Sequence, residues 1–399
     1  MRLTIVADDG SVSPAPERLA SPSAWSLRPD DLAERARSAG VGGSAAHLFR
    51  QLQRVSTWRS GQPDVGREAR RLLDGLDRSL PAIVDEAPSA DGSVRMVLRT
   101  VDGHHIEAVH MPRPHVGTPR TTFCISSQVG CAMGCTFCAT GTMGIVRNLS
   151  AGEIVGQVLA LMAAKGPATG HQLNLVFMGM GEPLHNLDNV ARAVEVLCDE
   201  RGVGLSPRRI TVSTSGLVPA LARFAALPVR PLLSVSINAT TDETRSRVMP
   251  VNRSFNLAAL KAALRAFPFR RGEKVLLAYV LLRGENDAVE DVLRLAEFAA
   301  GLHANVNLIP LNEHERSTHR APDDDWVATF SRHLYDALAA RDFRGVLTVR
   351  NNRGRDARGA CGQLVQGEPR RRRTGTTPGD DSDAGRVVDG APGPPHRSR

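Results

Sequence analysis

Three cysteines packed into eight residues, Cys131-Ala-Met-Gly-Cys135-Thr-Phe-Cys138, constrain this chain more than any other feature. Thiolates are soft ligands, and this many so close together point to a metal or to catalysis. A 4Fe–4S cube offers four irons that all accept thiolate. Three protein ligands leave one iron open, and an open iron can chelate a small molecule through its amino and carboxylate groups. The alternative on spacing alone is structural zinc, with Cys124 as fourth ligand. Structural zinc normally takes two close pairs separated by a longer spacer, so one tight triplet suits it less well than a cluster. The remaining cysteines are Cys124, Cys198 and Cys361. The start, residues 1–10, is short and acidic and does not read as a signal peptide, so a disulfide scaffold is not expected.

The chain has 399 residues, enough for one large domain with attachments or for two domains, and its 42% hydrophobic content supports a real core. No run approaches the roughly 18 apolar residues of a membrane helix. The expectation is a soluble, cytoplasmic protein with no membrane partner. The formal charge is +8, and a basic protein can gather a polyanion, usually nucleic acid. Only Lys165, Lys261 and Lys274 among the 50 basic residues are lysines. A GC-rich genome explains such an Arg bias equally well.

Residues 1 to about 30 are rich in Pro, Ser and Ala and read as loose. Helical patterning follows to about residue 80. Asp30 and Asp31 are expected to cap a helix running through Leu32, and residues 45–55 also read as helix. Residues 95–112 alternate around Asp102-Gly103, a hairpin signal. From Thr121 onward, strands are expected at 122–126, 173–178, 209–213, 232–237, 275–282, 305–309 and 346–350. Helices are expected between them at 150–165, 187–201, 218–227, 257–267, 288–302 and 323–340. Strands separated by single helices imply parallel βα units. The fold class is therefore α/β, with about six units curled into a full or partial barrel whose site lies at the C-terminal strand ends. After Leu364 the chain turns to Gly, Pro, Asp, Ser and Arg, with a basic run at 370–373, and 367–399 reads as disordered. The expected division is a helical accessory region at 1–93, a core at 94–366 and the tail.

Further blocks extend the triplet: Cys124-Ile-Ser-Ser-Gln-Val-Gly-Cys131, Arg147-Asn-Leu149, Phe177-Met-Gly-Met-Gly-Glu-Pro-Leu184, Gly204-Leu-Ser-Pro-Arg-Arg209, Val212-Ser-Thr-Ser-Gly216, Met249-Pro-Val-Asn252, Asn307-Leu-Ile-Pro-Leu-Asn312 and Ala360-Cys-Gly-Gln-Leu364. In order and approximate spacing, across residues 94–366, they resemble the radical-SAM adenine methyltransferases of ribosomal RNA, the RlmN/Cfr family. Phe137 before the third cysteine fits the same resemblance.

The resemblance implies a partial (β/α)6 radical-SAM barrel, a 4Fe–4S cluster on Cys131, Cys135 and Cys138, and S-adenosyl-L-methionine, two molecules per turnover. Adenine C2 and C8 have neither an acidic enough proton nor enough nucleophilicity for ordinary methyl transfer, and a radical route avoids both limits. In such enzymes a 5′-deoxyadenosyl radical takes hydrogen from a methyl group already on a protein cysteine. The methylene radical then adds to the adenine, joining protein and RNA. The carrier matches Cys361, flanked by Gly359 and Gly362, which would let its loop move. The thiol that releases the product by forming a disulfide matches Cys124, and the proton acceptor matches Glu107. The cofactor pocket matches Gly181, Glu182, Ser213, Ser236, Ile237, Asn238 and Asn312, with Asn238 standing where the family usually has His. In Gly181 a missing Cβ would let backbone approach the ligand, and Glu182 would take its ammonium. Cys198 matches no functional position and reads as core.

Val129 before Gly130 resembles the C2-methylating branch more than the C8-methylating branch. The implied substrate is the 23S rRNA adenine near the peptidyl-transferase centre, with a tRNA anticodon-loop adenine as a second. Arg residues such as Arg208 and Arg209 would hold phosphates, and the electron donor would be a flavodoxin or ferredoxin. A monomer is expected. The competing functions are adenine C8 methylation and radical-SAM chemistry on a substrate other than RNA.

Overall fold

The structure, a computed structural model, describes residues 23–53, 64–113, 120–166, 172–350 and 353–364. Of the start expected to be loose to about residue 30, residues 1–22 lie outside the described residues, as do the end of the 45–55 helix and the expected disordered tail at 367–399, but Ala24, Trp25 and Leu27 are buried in the core.

The accessory helices are α1 (Pro29–Ser38), α2 (Ala45–Gln53) and α3 (Arg67–Asp74). Asp30 and Asp31 do not cap α1, contrary to the sequence expectation. The helix starts a residue earlier, with Pro29 in its first position, where a missing N–H costs nothing. Both acids sit in the first turn, where the helix dipole favours them. Asp31 Oδ2 reaches back to accept from Arg28 N at 2.8 Å.

An antiparallel meander follows: β1 (Ala82–Pro88), β2 (Val94–Arg99), β3 (His105–Arg113) and β4 (Arg120–Cys124). The β2–β3 turn closes at Thr100–His104 with Gly103 at φ 87°, where Asp102-Gly103 placed it. The first strand was not expected. Its sequence is acidic and ends in Pro, and its pairing slips between Ile83 and Asp85.

Next come a short antiparallel pair, β5 (Gln128–Gly130) and β6 (Ile145–Asn148), and then α4 (Ala151–Lys165). Ser150 and Glu153 form a capping box at the start of α4. The chain continues through β7 (Gln172–Phe177), α5 (Leu187–Cys198), β8 (Ile210–Thr214), α6 (Val218–Ala225), β9 (Leu232–Ser236), α7 (Asp242–Val248), α8 (Leu257–Arg265), β10 (Val275–Leu281), α9 (Val289–Ala299), β11 (Ala304–Pro310), α10 (Asp324–Ala339) and β12 (Leu347–Val349). All seven core strands and six helices lie where the periodicity put them, within a few residues. The short, charged α7 was not foreseen.

Among the described residues one ten-stranded sheet runs β1-β2-β3-β4-β7-β8-β9-β10-β11-β12. From β4 onward every neighbouring pair is parallel. The two ends of the sheet are not neighbours, so the barrel is partial. Phe177, Val212, Val235, Tyr279 and Leu308 pack at 0–1% exposure between the sheet and its covering helices. The parallel strands consequently release their C-terminal ends together at one end of the core.

Candidate active site

One cavity opens at these strand ends, with about 1090 Å³ of space free of protein atoms, open solvent included. Cys131, Cys135 and Cys138 line it together with Gly181, Glu182, Ser213, Ser236, Asn238, Asn312 and Cys361. Residues up to 230 positions apart are thus gathered in one site.

The β5–β6 pair pinches the ends of the cysteine loop. Cys131 N donates to Gly144 O at 2.8 Å. Gly130 adopts φ 76°, and a Cβ there would stand 2.0 Å from Gly144 O, so only glycine closes this neck. Two other segments hold the loop from outside. Thr136 N donates to Val248 O at 3.1 Å, and Ala139 N donates to Gly362 O at 2.8 Å. Thr140 Oγ1 donates to Leu364 O at 2.6 Å.

Burial pushes all three thiols up, Cys131 to about 12, and the field of a neighbouring cysteine adds to each shift. Bound metal removes such protons outright. Among the described residues no group of three or more His, Cys, Asp or Glu converges on a single ion. A zinc ion would need that convergence, with every Zn–S near 2.3 Å. A cube binds three thiolates on three different irons, and these three cysteines line one cavity together. Cys124, fourth ligand in the zinc alternative, is not among the cavity-lining residues. The donor set fits a cluster.

Beside the loop, Glu182 is 3% exposed. Its Oε1 accepts from Leu184 N at 3.0 Å and its Oε2 from Ser215 N at 2.7 Å. Burial raises its pKa while the Ser215 N–H opposes the shift. A buried carboxylate facing a cavity is suited to an incoming ammonium. Gln128 couples this loop to the cysteine loop, since its Oε1 accepts from Glu182 N at 2.9 Å. Gly181 lines the cavity, but its Cβ would meet Gln128 at 2.6 Å, and its φ is 101°. Gln128 by itself therefore requires glycine there.

The neighbours Ile237 and Asn238 are held by protein partners. Ile237 is fully buried and is not among the lining residues; its carbonyl accepts from Arg245 Nε at 2.9 Å. Asn238 lines the cavity, but its amide faces protein partners. Oδ1 accepts from Val280 N at 2.8 Å and Nδ2 lies 3.3 Å from Met249 Sδ. Its φ of 52° is a left-handed geometry that Asn tolerates better than most residues. Asn312 remains available: Nδ2 donates to Cys361 O at 3.0 Å, while buried Oδ1 has no protein partner. Sequence reading missed Ser234, whose buried Oγ also lacks a partner, and Arg350; both line the cavity. Neither stands in a motif that marks it.

Cys361 lines the cavity and Cys124 lies just behind it, 7% exposed. Both are free thiols. Burial pushes Cys124 up to about 12; the field of Cys361 adds to this and that of Arg350 opposes it. Cys361 also lies within electrostatic range of Cys138. Glu107, on β3, is fully buried and does not line the cavity. Arg95 Nη1 pairs with its Oε1 at 2.5 Å, and Arg95 Nε donates to Ala357 O at 2.9 Å. One guanidinium thus joins Glu107 to the segment carrying Cys361, a link no motif announced. Cys198 packs half-buried against the core on α5, as expected.

Arg208 and Arg209 precede β8, while the cavity lies beyond its other end. At about 3.3 Å per residue the strand separates them by roughly 17 Å, so they do not border the mouth.

The radical SAM superfamily matches residues 125–298. The dual-specificity RNA methyltransferase RlmN 2 of Myxococcus xanthus is 42% identical over 366 residues, covering 88% of this chain and 92% of that protein. The dual-specificity RNA methyltransferase RlmN of an Anaeromyxobacter species is 47% identical over 298 residues, or 72% and 75% of the two chains. Among solved structures, a radical SAM methyltransferase from Sphaerobacter thermophilus is 38% identical with a TM-score of 0.77, covering 86% of this chain and 99% of that one. With a relative this similar spanning nearly its whole length, the chain belongs to the RlmN family of radical SAM RNA methyltransferases.

Proposed function

We propose that this protein methylates C2 of an adenosine in 23S rRNA, and of a tRNA adenosine as well, using Cys361 as the methyl carrier. The observation that carries the reading is the placement of Cys361, in one cavity with the three cluster cysteines and within electrostatic range of Cys124. A radical SAM enzyme acting on other substrates has no need of that second pair.

Cys131, Cys135 and Cys138 would hold the cluster. Glu182, Ser213, Ser236 and Asn312 would hold S-adenosylmethionine, with Asn238 shaping the wall. Together, cluster and cofactor supply a radical able to take hydrogen from a methyl group. The chain's own residues do the rest. Cys361 sulfur holds the methyl carbon and keeps it when that carbon joins the adenine. Glu107 receives the proton that leaves the ring carbon. Cys124 sulfur then attacks Cys361 sulfur: the S–S bond forms as the Cys361 S–C bond breaks, the base keeps the bonding pair of that S–C bond, and a proton added to the carbon completes the methyl group. Because burial keeps the Cys124 thiol protonated, its attack requires loss of that proton first.

The region 1–93 is assigned to holding RNA and 94–366 to the chemistry. A flavodoxin or ferredoxin supplies electrons to a cytoplasmic monomer. No described helix is long and apolar enough to cross a membrane. Cys124→Ala is expected to accumulate a protein–RNA adduct, seen as a slow band on a denaturing gel, and Cys361→Ala to form none. Methylation by Cys361→Ala would overturn the carrier role.

A further inference from the structure

Arg245, on α7, has no exposed surface. Its guanidinium donates to four acceptors. Nη2 reaches Ser215 O at 2.7 Å and Ser236 O at 3.0 Å, Nε reaches Ile237 O at 2.9 Å, and Nη1 reaches Asn252 Oδ1 at 3.0 Å. All four are neutral. The ion pairs among the described residues do not include Arg245. A buried cation without a counter-ion is costly, so an anion is expected nearby.

Two acidic groups lie in its field, Cys135 and Asp242. Asp242 is engaged elsewhere, where its Oδ1 accepts from Asn252 Nδ2 at 3.0 Å and Leu257 N at 2.9 Å. Cys135 is a cluster thiol. The backbone fixes the same pairing, because Thr136 N, next to Cys135, donates to Val248 O of the Arg245 helix at 3.1 Å. The acceptors Ser215 and Ser236 themselves line the cavity at the ends of β8 and β9.

We propose that Arg245 is the buried counter-cation of the iron–sulfur site, balancing the charge of the thiolate-held cluster and fixing the strand ends beside it. This rests on the assignment of the cluster to the three cysteines. A cluster gains a negative charge on reduction, so a fixed cation nearby stabilises the reduced state and raises the potential. Arg245 acts through the cluster and the strand ends, and is a positioning residue.

The test compares wild type, Arg245→Gln and Arg245→Lys after anaerobic reconstitution, by redox titration followed in visible absorption and electron paramagnetic resonance. Gln keeps amide donors for the carbonyls and loses the charge; Lys keeps the charge. At fixed potential the ratio of reduced to oxidised cluster in Arg245→Gln should fall about tenfold, equal to 59 mV for a one-electron couple, while Arg245→Lys stays near wild type. Equal potentials in the Gln variant and wild type would overturn the proposal, as would a Lys variant shifted as far as Gln. The second readout is thermal unfolding with and without iron. The stabilisation given by the cluster should shrink in Arg245→Gln, and an unchanged gap would contradict the proposal. A wild-type protein that binds no iron would instead overturn the cluster assignment.

Discussion

Cys131, Cys135 and Cys138 line one cavity with Cys361, while buried Cys124 does not line it. Changing any one of the three to Ala should abolish the brown colour and most bound iron after anaerobic reconstitution. The iron-free variant should keep a thermal midpoint close to that of iron-free wild type, since removing a sulfur costs little packing beside an open cavity. Retained stoichiometric iron would count against the ligand set. Glu182→Gln replaces a buried carboxylate by a neutral amide and should weaken S-adenosylmethionine binding about tenfold to a hundredfold by equilibrium dialysis; unchanged affinity would remove its role. At this scale the sequence was readable wherever a residue type has few uses, as with clustered cysteines. Asn238 and Ile237 were less so, because a strand-end residue can face the ligand or turn inward, and only packing decides. Arg95, paired with Glu107 across β2 and β3, was invisible because its partner is set by strand register.

The loops are held by elements that short patterns describe poorly. The β5–β6 neck has seven strand residues in all and depends on Gly130. Gly130→Ala adds about 1–2 kcal/mol of left-handed strain to the clash with Gly144 O, and should lower both the melting temperature and iron retention. A variant equal to wild type in both would show that the neck yields freely. The meander is tied down by two acids. Burial acts to raise Asp91, but hydrogen bonds from Ser93 and Gly354 bring it down to about 2. Burial likewise opposes the Arg147 bonds that bring Asp102 to about 2. Arg147 also binds Glu153, joining the β2–β3 turn to α4. For a depressed carboxylate the stabilisation is present above the unfolded pKa near 3.9 and disappears as pH falls through the folded value. Denaturant unfolding should therefore show both contributions intact at pH 5 and fading between about pH 4 and 2. Asp102→Asn should be less stable than wild type at pH 5 and converge with it near pH 2; a constant difference would contradict the linkage. Helix and strand positions in the core were legible because their apolar periods are long. The first strand and α7 were not, being short, charged and stabilised by neighbours distant in sequence.

For the whole molecule, sheet order matters most. The parallel run from β4 to β12 brings residues 124 to 364 to one end, which the alternating pattern foretold. Which arginines face that end was not foretold: Arg350 does and Arg208 does not, since being basic says nothing about which end of a strand a residue occupies. The central claim is methylation of adenine C2 in RNA by this protein. Mass spectrometry of nucleosides from 23S rRNA and tRNA of a strain lacking it tests this directly. The account predicts loss of 2-methyladenosine and its return on complementation with wild type but not with Cys361→Ala. Unchanged 2-methyladenosine, or loss of 8-methyladenosine in its place, would contradict it.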